Sequence, residues 1–278
     1  MSKTKIAIIG YGFVGTAVEF GFRNKTNDIM IVDPYKGYHS IDDMISFNPE
    51  FVFICVPTPM NDDGSINKNI ITSVVDQLTT INATVIVKST ITPDVIEEIC
   101  CADRFVYNPE FLTERNALED FLRPDFHVLG GDLHHIQKVR DLYTYNSNCN
   151  PAPFHYMTPV EASLVKYGIN SFLAMKVVWF NQWKELTESL DARYNVVSRS
   201  IGEDDRIGHS HTKVPGPDRK KGFGGSCFPK DTAAIAAFSK LNGVYLSVLE
   251  EVISANSRYR SEYELDDREK EQNIRYGQ

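Results

Sequence analysis

Short hydrophobic runs alternate with amphipathic segments through the first half of the chain. Most runs are continuous and β-branched, as expected of parallel strands that helices cover on both faces. The predicted strands are Lys5–Gly10, Ile29–Asp33, Phe51–Pro57, Thr84–Thr90, Phe105–Asn108 and His127–Gly130. Helical spacing over Asn69–Ile81 and the Thr-Pro pair that opens Thr92–Cys100 predict helices between them. This order predicts an α/β fold, with a Rossmann-type doubly wound parallel sheet over residues 1–157.

The second half of the chain has a different pattern. Thr158-Pro159-Val160-Glu161 reads as a capping box with proline at the first helical position, and no proline follows before Leu190. A helix over residues 159–190 is long for a globular protein and predicts an element that bridges two domains or two subunits. The rest predicts a loop, two helices and a charged tail that frays: Glu203–Ser226, Pro229–Leu241, Tyr245–Tyr263 and Glu264–Gln278. Residues 158–278 are thus predicted to form an all-helical central domain that carries a dimer interface.

Composition and charge narrow the class of protein. A length of 278 residues suits two domains, and 42% hydrophobic residues suit a globular core. The net charge of −8 lacks the excess of base that nucleic acid or an anionic membrane surface needs, so neither is an expected partner. No apolar run approaches membrane-spanning length, and no secretion signal opens the chain. Five cysteines without a CxxC pair predict reduced thiols in the cytoplasm, and the histidine spacing predicts no metal site.

A glycine-rich motif follows the first predicted strand. Gly10-Tyr11-Gly12-Phe13-Val14-Gly15 fits G-x-G-x-x-G and opens a predicted helix, and Asp33 closes the second strand. Glycines permit a tight turn and close approach of the backbone to a pyrophosphate at the helix N-terminus. Asp33 can accept hydrogen bonds from ribose hydroxyls, and its charge repels a 2′-phosphate. The motif therefore predicts NAD rather than NADP as cofactor, against the alternative of a glycine turn without a ligand.

A second cluster runs from Gly222 to Asp231 with the sequence GFGGSCFPKD. Pro229 suits the first turn of a helix, which places Cys227 just ahead of a helix N-terminus that stabilises a thiolate. Lys230 adds a nearby positive charge, and Asp231 lies one helical turn beyond the cysteine. Such a thiolate can attack an aldehyde, so that a second hydride leaves a covalent adduct and a thioester remains. A buried inert thiol is the alternative for Cys227, and it is the interpretation kept for the other four cysteines.

Two further pairs have the i, i+4 spacing that places side chains on one helix face. Lys166 and Asn170 can together hold a developing oxyanion, although the spacing alone favours the solvated face of an amphipathic helix. Glu110 and Glu114 follow a predicted strand end, where active sites of α/β proteins gather. Chance placement on the surface is their alternative.

Eight segments, in this order, resemble the UDP-glucose/GDP-mannose dehydrogenase family. They are GYGFVG at 10–15, VPTP at 56–59, KST at 88–90, NPEFL at 108–112, Lys166-x-x-x-Asn170, Arg206-Ile-Gly208, VPGPD at 214–218 and GFGGSCFPKD at 222–231. The FPKD ending is more similar to the UDP-glucose branch than to the GDP-mannose or UDP-N-acetylmannosamine branches. The resemblance implies a four-electron oxidation of a sugar C6 alcohol to a carboxylate with two NAD+.

The resemblance also implies three sets of site residues. The catalytic set is Cys227, Lys166, Asn170, Asp231, Glu110, Glu114 and Thr90. The cofactor set is Gly10, Gly12, Phe13, Val14, Gly15, Asp33, Val56, Pro57, Thr58, Ser89, Thr90 and Lys230. The substrate set is Phe111, Leu112, Lys166, Asn170, Arg206, Phe223, Gly224 and Cys227.

The resemblance implies a separate role for each residue of the catalytic set. Cys227 is the nucleophile that forms a thiohemiacetal and then a thioester. Lys166 and Asn170 stabilise the oxyanion, while Asp231 and Thr90 position the hydrolytic water.

The remaining implied roles concern proton transfer and assembly. Glu110 is similar to the family's general base and Glu114 to its supporting carboxylate. Arg206 resembles the arginine that reaches across a homodimer to the partner's UDP-sugar, and the long helix resembles part of the family's dimerisation region.

Two departures from the family pattern leave alternatives open. Thr113-Glu114-Arg115 replaces a commoner RxG, and the sequence stops on the order of 100 residues short of a third, nucleotide-binding domain. A naturally compact enzyme, a chain that needs a separate partner and a shortened chain are all compatible with that length. Another nucleotide sugar, a single-step β-hydroxyacid-type dehydrogenase and a non-catalytic paralogue that binds NAD or a nucleotide sugar are the competing functions.

Overall fold

The computed structural model describes residues 3–100, 102–113 and 115–276. Glu114 and Cys101 therefore lie outside the described residues. The strands are β1 Thr4–Ile9, β2 Asn27–Val32, β3 Phe51–Ile54, β4 Thr84–Val87, β5 Phe105–Tyr107, β6 His127–Gly131 and β7 Phe154–Met157. The helices are α1 Phe13–Phe22, α2 Ile41–Phe47, α3 Asn69–Gln77, α4 Pro93–Ile99, α5 Ala117–Leu122, α6 Leu133–Asn146, α7 Pro159–Ser189, α8 Tyr194–Gly202, α9 Phe228–Leu241, α10 Ser247–Arg260 and α11 Asp267–Glu271.

The chain divides into two compact units. Unit 1 consists of Met1–Thr58 and Asn67–Lys166, and unit 2 consists of Pro59–Ile66 and Tyr167–Gln278. Unit 1 contains every described strand, and unit 2 contains α8 to α11. The boundary falls inside α7, which contributes to both units. None of the helices in the described residues has the length and apolar character that crossing a membrane requires.

Unit 1 is built on a sheet with the strand order β2-β1-β3-β4-β5-β6-β7 in the described residues. The first five strands run parallel, with Ile6 of β1 opposite Ile29 of β2 on one side and Phe51 of β3 on the other. Helices connect them in the alternating order that the hydrophobic runs predict. The α/β fold with a Rossmann-type sheet is therefore confirmed.

The sheet differs from the predicted fully parallel arrangement at one edge. β6 runs antiparallel to β5, with Tyr107 opposite Gly130, and β7 pairs parallel with β6. Because β6 runs antiparallel to β5, it starts beside the carboxyl end of β5. The connection from Asn108 to Phe126 therefore does not need to cross the sheet. The connection carries Glu110, which therefore stays at the edge where active sites of parallel sheets lie.

The core of unit 1 combines central strand residues with one face of α1 and α6. Its buried members include Ile8, Phe22, Phe53, Ile86 and Tyr143. Continuous apolar runs form these strands because both faces of the sheet are covered, which leaves no solvent face for polar residues.

Unit 2 begins within α7, whose start is fixed by a complete capping box in unit 1. The Thr158 hydroxyl accepts from the Glu161 N–H at 3.3 Å, and Glu161 Oε2 accepts from the Thr158 N–H at 2.7 Å. In unit 2, Val178 on α7 packs with Phe223, and with Val252 on α10. The predicted loop over Glu203–Ser226 is confirmed, and α9 follows it directly.

The expectation that Glu264–Gln278 frays is wrong for its described part. Asp266 and Glu269 form a capping box at the start of α11, Glu269 is 1% exposed and Ile274 is equally buried. The charged composition was misleading because these charges are paired with side chains outside the segment. Arg260 faces Glu269 with 4.0 Å between Nη1 and Oε1, and Arg275 pairs with Asp62 at 2.5 Å.

We predict that burial of His127 makes unit 1 sensitive to acid. The ring is 8% exposed and stacks on Phe154, with 4.6 Å between ring centroids. Burial, and secondarily the charge of Lys88, lowers the pKa of His127 from 6.5 to about 4. The unfolded chain therefore takes up a proton as the pH falls through 6.5, while the folded chain does so only near 4, and stability is lost across that window. The loss amounts to roughly 3 kcal/mol.

Urea unfolding of His127→Phe between pH 7 and 4 checks this prediction. The variant should lose that part of the pH slope, while His134→Gln, at an exposed position on α6, should keep the native slope. A native slope in His127→Phe would contradict the assignment.

Candidate active site

The glycine motif forms a tight turn between β1 and α1. Gly10 has a φ of +88°, and a Cβ built there would lie 2.8 Å from the Cys55 carbonyl oxygen. A Cβ on Gly15 would lie 2.1 Å from the carbonyl oxygen of Gly10. Both positions therefore exclude side chains, and the close approach of strand, turn and helix explains why glycine is needed there.

Gly12, the N-cap of α1, serves a different purpose. A Cβ there would meet no described atom within 4 Å, and within the described residues no side chain caps the helix. The first turn of α1 has no acidic residue. Its N–H groups and the positive end of the helix dipole are thus available to an anion. The turn fits the pyrophosphate of NAD, because the open space at Gly12 lets an anionic group approach the N–H groups of α1.

Asp33 lies immediately after β2 and faces the same turn. Its Oδ2 accepts from the Tyr11 N–H at 2.9 Å, and Lys36 Nζ donates to the Tyr11 carbonyl oxygen at 2.7 Å. The acid is thereby held beside the glycine motif, as the sequence predicts for a residue that accepts from ribose hydroxyls.

Two other predicted cofactor segments follow β3 and β4 and bind each other. The Thr58 hydroxyl donates to the Thr90 carbonyl oxygen at 2.8 Å, and the Ser89 hydroxyl donates to the Val56 carbonyl oxygen at 2.7 Å. All four residues are buried, whereas Pro57 is exposed. The two segments therefore form one rigid rim at the carboxyl edge of the sheet.

Glu110 and Lys166, which the sequence predicts in separate roles, form a buried ion pair in unit 1. Lys166 Nζ lies 3.2 Å from Glu110 Oε1 and donates to the Glu110 carbonyl oxygen at 2.7 Å. The other carboxylate oxygen, Oε2, accepts from the Leu112 N–H at 2.6 Å. Their side chains are 5% and 3% exposed. Lys166 also lies over the Phe111 ring, 5.5 Å from its centroid, so the predicted substrate residues Phe111 and Leu112 adjoin the pair.

Lys88, a buried lysine to which the sequence assigned no role, follows β4 in the same unit. Lys88 Nζ donates to the carbonyl oxygen and to Oδ1 of Asn108, both at 3.0 Å. Burial lowers the pKa of Lys88 to about 8. A cavity of about 240 Å³ adjoins these groups, with Glu110 and His127 also in its wall. The KST motif named Lys88, but no spacing rule connects it to Asn108.

Cys227 is the N-cap residue of α9 in unit 2, as its position before Pro229 predicts. Its carbonyl oxygen accepts the first helical hydrogen bond from the Asp231 N–H at 2.8 Å. The Ser226 hydroxyl lies 3.6 Å from Cys227 Sγ, and the residue is half-buried. Cys227 thus lies at the positive end of the α9 dipole.

Asp231 is 1% exposed and binds two of the other predicted site residues. Its Oδ2 accepts from Asn170 Nδ2 at 2.6 Å, and its Oδ1 lies 2.5 Å from Lys230 Nζ. Asn170 and Asp231 are far apart in sequence, so their direct contact was not predictable from spacing. Lys166 lies one turn before Asn170 in α7, as the spacing predicts.

The predicted substrate residues Phe223 and Gly224 lie in the loop that leads to Cys227. Phe223 is buried, and its N–H and carbonyl are both bound by the Asn256 side chain, at 2.7 and 2.9 Å. A Cβ on Gly224 would lie 2.5 Å from Arg260 Nη1. Asn256 and Arg260 could not be identified from sequence patterns, because their role depends on how α10 packs.

Arg206 lies in an exposed turn of unit 2. Its guanidinium binds the Asp204 carboxylate, with 2.6 Å between Nη2 and Oδ2, and its side chain is 88% exposed. Lys176 Nζ, on α7, holds this turn by donating to the carbonyl oxygens of Ile207 and Gly208 at 2.7 and 3.1 Å. Within the described ranges, no group of three or more His, Cys, Asp or Glu side chains is placed to hold a metal ion.

Comparison with known proteins identifies matching domains in both halves of the chain. The NAD-binding domain of the UDP-glucose/GDP-mannose dehydrogenase family matches residues 40–146, and the central domain of that family matches residues 160–258. UDP-glucose 6-dehydrogenase of Rickettsia bellii is 36% identical over 75% of this chain and 49% of its own length. The enzyme of that name from Rhizobium meliloti is 30% identical over 91% of this chain and 67% of its own length.

A solved structure agrees with these matches. A UDP-glucose dehydrogenase from Pyrobaculum islandicum superposes with a TM-score of 0.78 and 28% identity, over 92% of this chain and 68% of that one. The chain spans about half the length of the Rickettsia bellii relative. With both domains matched, the chain belongs to the UDP-glucose/GDP-mannose dehydrogenase family and carries its NAD-binding domain.

Proposed function

We propose that this chain oxidises the C6 alcohol of UDP-glucose to a carboxylate in two steps, through a covalent adduct on Cys227. The overall balance is one primary alcohol, two NAD+ and one water giving one carboxylate, two NADH and three protons. NAD+, held at the glycine turn and Asp33, supplies the hydride acceptor for each step. The relatives named UDP-glucose 6-dehydrogenase support this choice of sugar.

The position of Cys227 is the observation that carries the proposal. It caps α9, with Lys230 and Asp231 in the first turn of the helix. An inert structural thiol is normally buried among apolar groups, whereas this one is half-buried and lies at the positive end of a helix. A single-step hydroxyacid dehydrogenase gives this cysteine no role.

In the first step we assign the removal of the alcohol proton to Glu110. The carboxylate accepts that proton, and Lys166 Nζ lies 3.2 Å from its Oε1. As the hydride leaves C6, the alkoxide becomes an aldehyde. Because Lys166 binds both the carboxylate and the main-chain carbonyl of Glu110, it also fixes the direction in which the base points.

In the second step the Cys227 thiolate adds to the aldehyde carbon and a thiohemiacetal forms. We assign Lys166 and Asn170 to the resulting oxyanion, since both carry N–H donors and lie one turn apart in α7. Loss of the second hydride gives a thioester. Asp231, with Thr90, then positions the water that displaces the thiolate and releases the carboxylate.

Substrate contacts are assigned to residues next to these groups. Phe111 and Leu112 adjoin the Glu110–Lys166 pair, and Phe223 and Gly224 precede the nucleophile. Arg206 is assigned to the substrate of the partner subunit, because it lies in an exposed turn. Glu114, the predicted supporting carboxylate, lies outside the described residues.

The decisive experiment mixes the full chain with NAD+ and UDP-glucose and follows NADH absorbance. Two NADH per sugar are expected, with GDP-mannose and UDP-N-acetylmannosamine turned over more slowly. Calorimetric binding of NAD without turnover of any of the three sugars would instead support a non-catalytic paralogue. Oxidation of a small hydroxyacid without an adduct would support a single-step dehydrogenase.

We predict that Cys227→Ser abolishes the covalent step. The rate of NADH formation should fall by about a thousandfold or more, as expected when a covalent nucleophile is removed. Intact-mass spectrometry during turnover should show an adduct on the native chain and none on the variant. Cys149→Ser is the matched control, because Cys149 is a half-buried thiol of unit 1 whose Sγ donates to the Phe121 carbonyl oxygen at 3.1 Å and has no role in the proposed reaction. Two NADH per sugar from Cys227→Ser at the native rate would rule out the mechanism.

Asp33 is predicted to set the preference for NAD. In Asp33→Ser the repulsion of a 2′-phosphate is removed, so the ratio of kcat/KM for NAD to that for NADP should fall by about tenfold or more, equivalent to ~1.4 kcal/mol. Steady-state kinetics with both cofactors measure this ratio. Asp28→Ser, at an exposed position on β2, should leave it unchanged.

Homodimerisation is predicted through α7. Phe172, Trp179 and Leu186 are 58%, 40% and 46% exposed and recur every seven residues, which places them on one face of the helix. Light scattering should give twice the mass of one chain, and Phe172→Glu with Leu186→Glu should give a monomer. Leu133→Glu, at an exposed position on α6, is the control. A native monomer with full activity would contradict both the dimer and the role of Arg206.

A further inference from the structure

We propose that Glu269 on α11 is a positioning residue for Cys227, because it holds the main chain of the glycine loop from the segment that follows α10. The proposal rests on the proposed function for its catalytic consequence, but not for its structural one. All the groups involved belong to unit 2.

The loop from Gly222 to Ser226 has little intrinsic stiffness. Gly222 and Gly225 have φ values of +69° and +78°, and the loop forms neither a helix nor a strand. Glycines in such conformations lose much conformational freedom on folding. The position of Cys227 therefore depends on the side chains that hold this main chain.

The start of the loop is anchored by two buried asparagines. Asn181 Oδ1 on α7 accepts from the Gly222 N–H at 3.1 Å. Asn256 on α10 accepts from the Phe223 N–H at 2.7 Å and donates to its carbonyl oxygen at 2.9 Å. Both asparagines are 2% exposed. These contacts hold residues 222 and 223. They do not involve residues 224–226, which lie next to the cysteine.

Glu269 binds that stretch. Its Oε1 accepts from the Gly225 N–H at 3.2 Å and from the Tyr276 hydroxyl at 2.8 Å. Its Oε2 accepts from the Asp266 N–H at 2.9 Å as part of the capping box of α11. A side chain 1% exposed thus connects the helix directly to the residue two positions before Cys227.

Arg260 lies beside Glu269 and also binds the loop. Its Nη2 donates to the Gly222 carbonyl oxygen at 3.0 Å and lies 2.7 Å from Asp218 Oδ2. A Cβ on Gly224 would lie 2.5 Å from Arg260 Nη1 and 2.6 Å from Glu269 Oε1. A buried guanidinium and a buried carboxylate therefore pack together against Gly224, and a side chain there would displace them.

Burial of the Glu269 carboxylate is unfavourable in free energy, which indicates a role that an apolar side chain could not fill. A buried carboxylate is expensive unless it is paired and hydrogen-bonded, and an apolar residue would fill the same space at lower cost. The Gly225 N–H needs an acceptor near Cys227, and Glu269 supplies it. A nucleophile must be held within a fraction of an ångström of its productive position, and ~1 Å of misplacement can cost about a hundredfold in rate.

The test compares two conservative variants of the full chain. Glu269→Asp keeps the charge but is one methylene too short to reach the Gly225 N–H. Glu269→Gln keeps one oxygen acceptor at the native distance for that N–H and gives up the acceptor for the Asp266 N–H. Glu271→Asp, an exposed carboxylate at the end of the same helix, is the matched control. Circular dichroism and the melting temperature verify that each variant is folded at the assay temperature.

Two readouts separate positioning from a merely structural role. Hydrogen exchange of the peptide over residues 222–227 should be about tenfold faster or more in Glu269→Asp, since each ~1.4 kcal/mol lost from a local opening equilibrium is a factor of ten. Glu269→Gln and Glu271→Asp should remain near native. In sugar oxidation, kcat of Glu269→Asp should fall about tenfold to a hundredfold with KM within about threefold, and Glu269→Gln should recover most of it.

The outcomes also separate this proposal from the proposed function. Native exchange and native kcat in a folded Glu269→Asp would overturn the role of Glu269. Faster exchange, together with altered iodoacetamide labelling of Cys227, would support it even if the native chain oxidised no sugar. In that case only the proposed function would fail. A uniform change of exchange throughout unit 2 would show a general structural role and would also overturn the proposal.

Discussion

Charged side chains that are removed from water must find partners, and this constraint organises the interior of both units. In unit 1 Lys166 meets Glu110, and Lys88 is bound by Asn108. In unit 2 Asp231 takes a hydrogen bond from Asn170 and an ion pair from Lys230. An unpaired buried charge costs several kcal/mol, so each of these contacts fixes the main chain that carries it. The segment that carries Asn108 and Glu110 is thereby held in one arrangement without regular secondary structure, and in unit 2 the contacts of Asp231 join α9 to α7.

The same contacts also orient the side chains that the proposed reaction uses. The carboxylate of Glu110 is held by Lys166 and the Leu112 N–H, and that of Asp231 by Asn170 and Lys230. A thiol at a helix N-terminus is favoured as the thiolate, which suits a nucleophile. The arrangement that satisfies buried charge in this fold therefore also orients the carboxylates that the proposed oxidation uses.

The elements of this fold were largely predictable because they depend on local signals. Continuous apolar runs marked β1 to β6, and the Thr158 capping box located the start of α7 within the chain. The placement of Cys227 followed from Pro229 alone. Sequence patterns did not reveal the antiparallel pairing of β6. The direction and register of a strand depend on the strands beside it and not on its own sequence.

The partners of the site residues were less predictable than the residues themselves. Glycine motifs and i, i+4 pairs named Glu110, Lys166, Asn170 and Asp231, but each of these side chains binds a group distant in sequence. Glu269 was hidden for the same reason, since a run of charged residues after α10 looks like a solvated tail until Arg260 and the Gly225 N–H are placed beside it. Long-range pairing of this kind leaves no period in the sequence that a pattern could detect.

Burial of charge at these positions is better explained by geometry than by stability. Replacing a buried ion pair with apolar residues of similar volume is often neutral or stabilising by about 1–4 kcal/mol, so a fold selected for stability alone has little need of such pairs. Apolar packing, however, is not directional, whereas the Glu269 carboxylate meets one N–H of the glycine loop and Lys166 meets one carboxylate oxygen of Glu110. We interpret the buried charges of this chain as the means by which flexible loops acquire the fixed geometry that a reacting group requires.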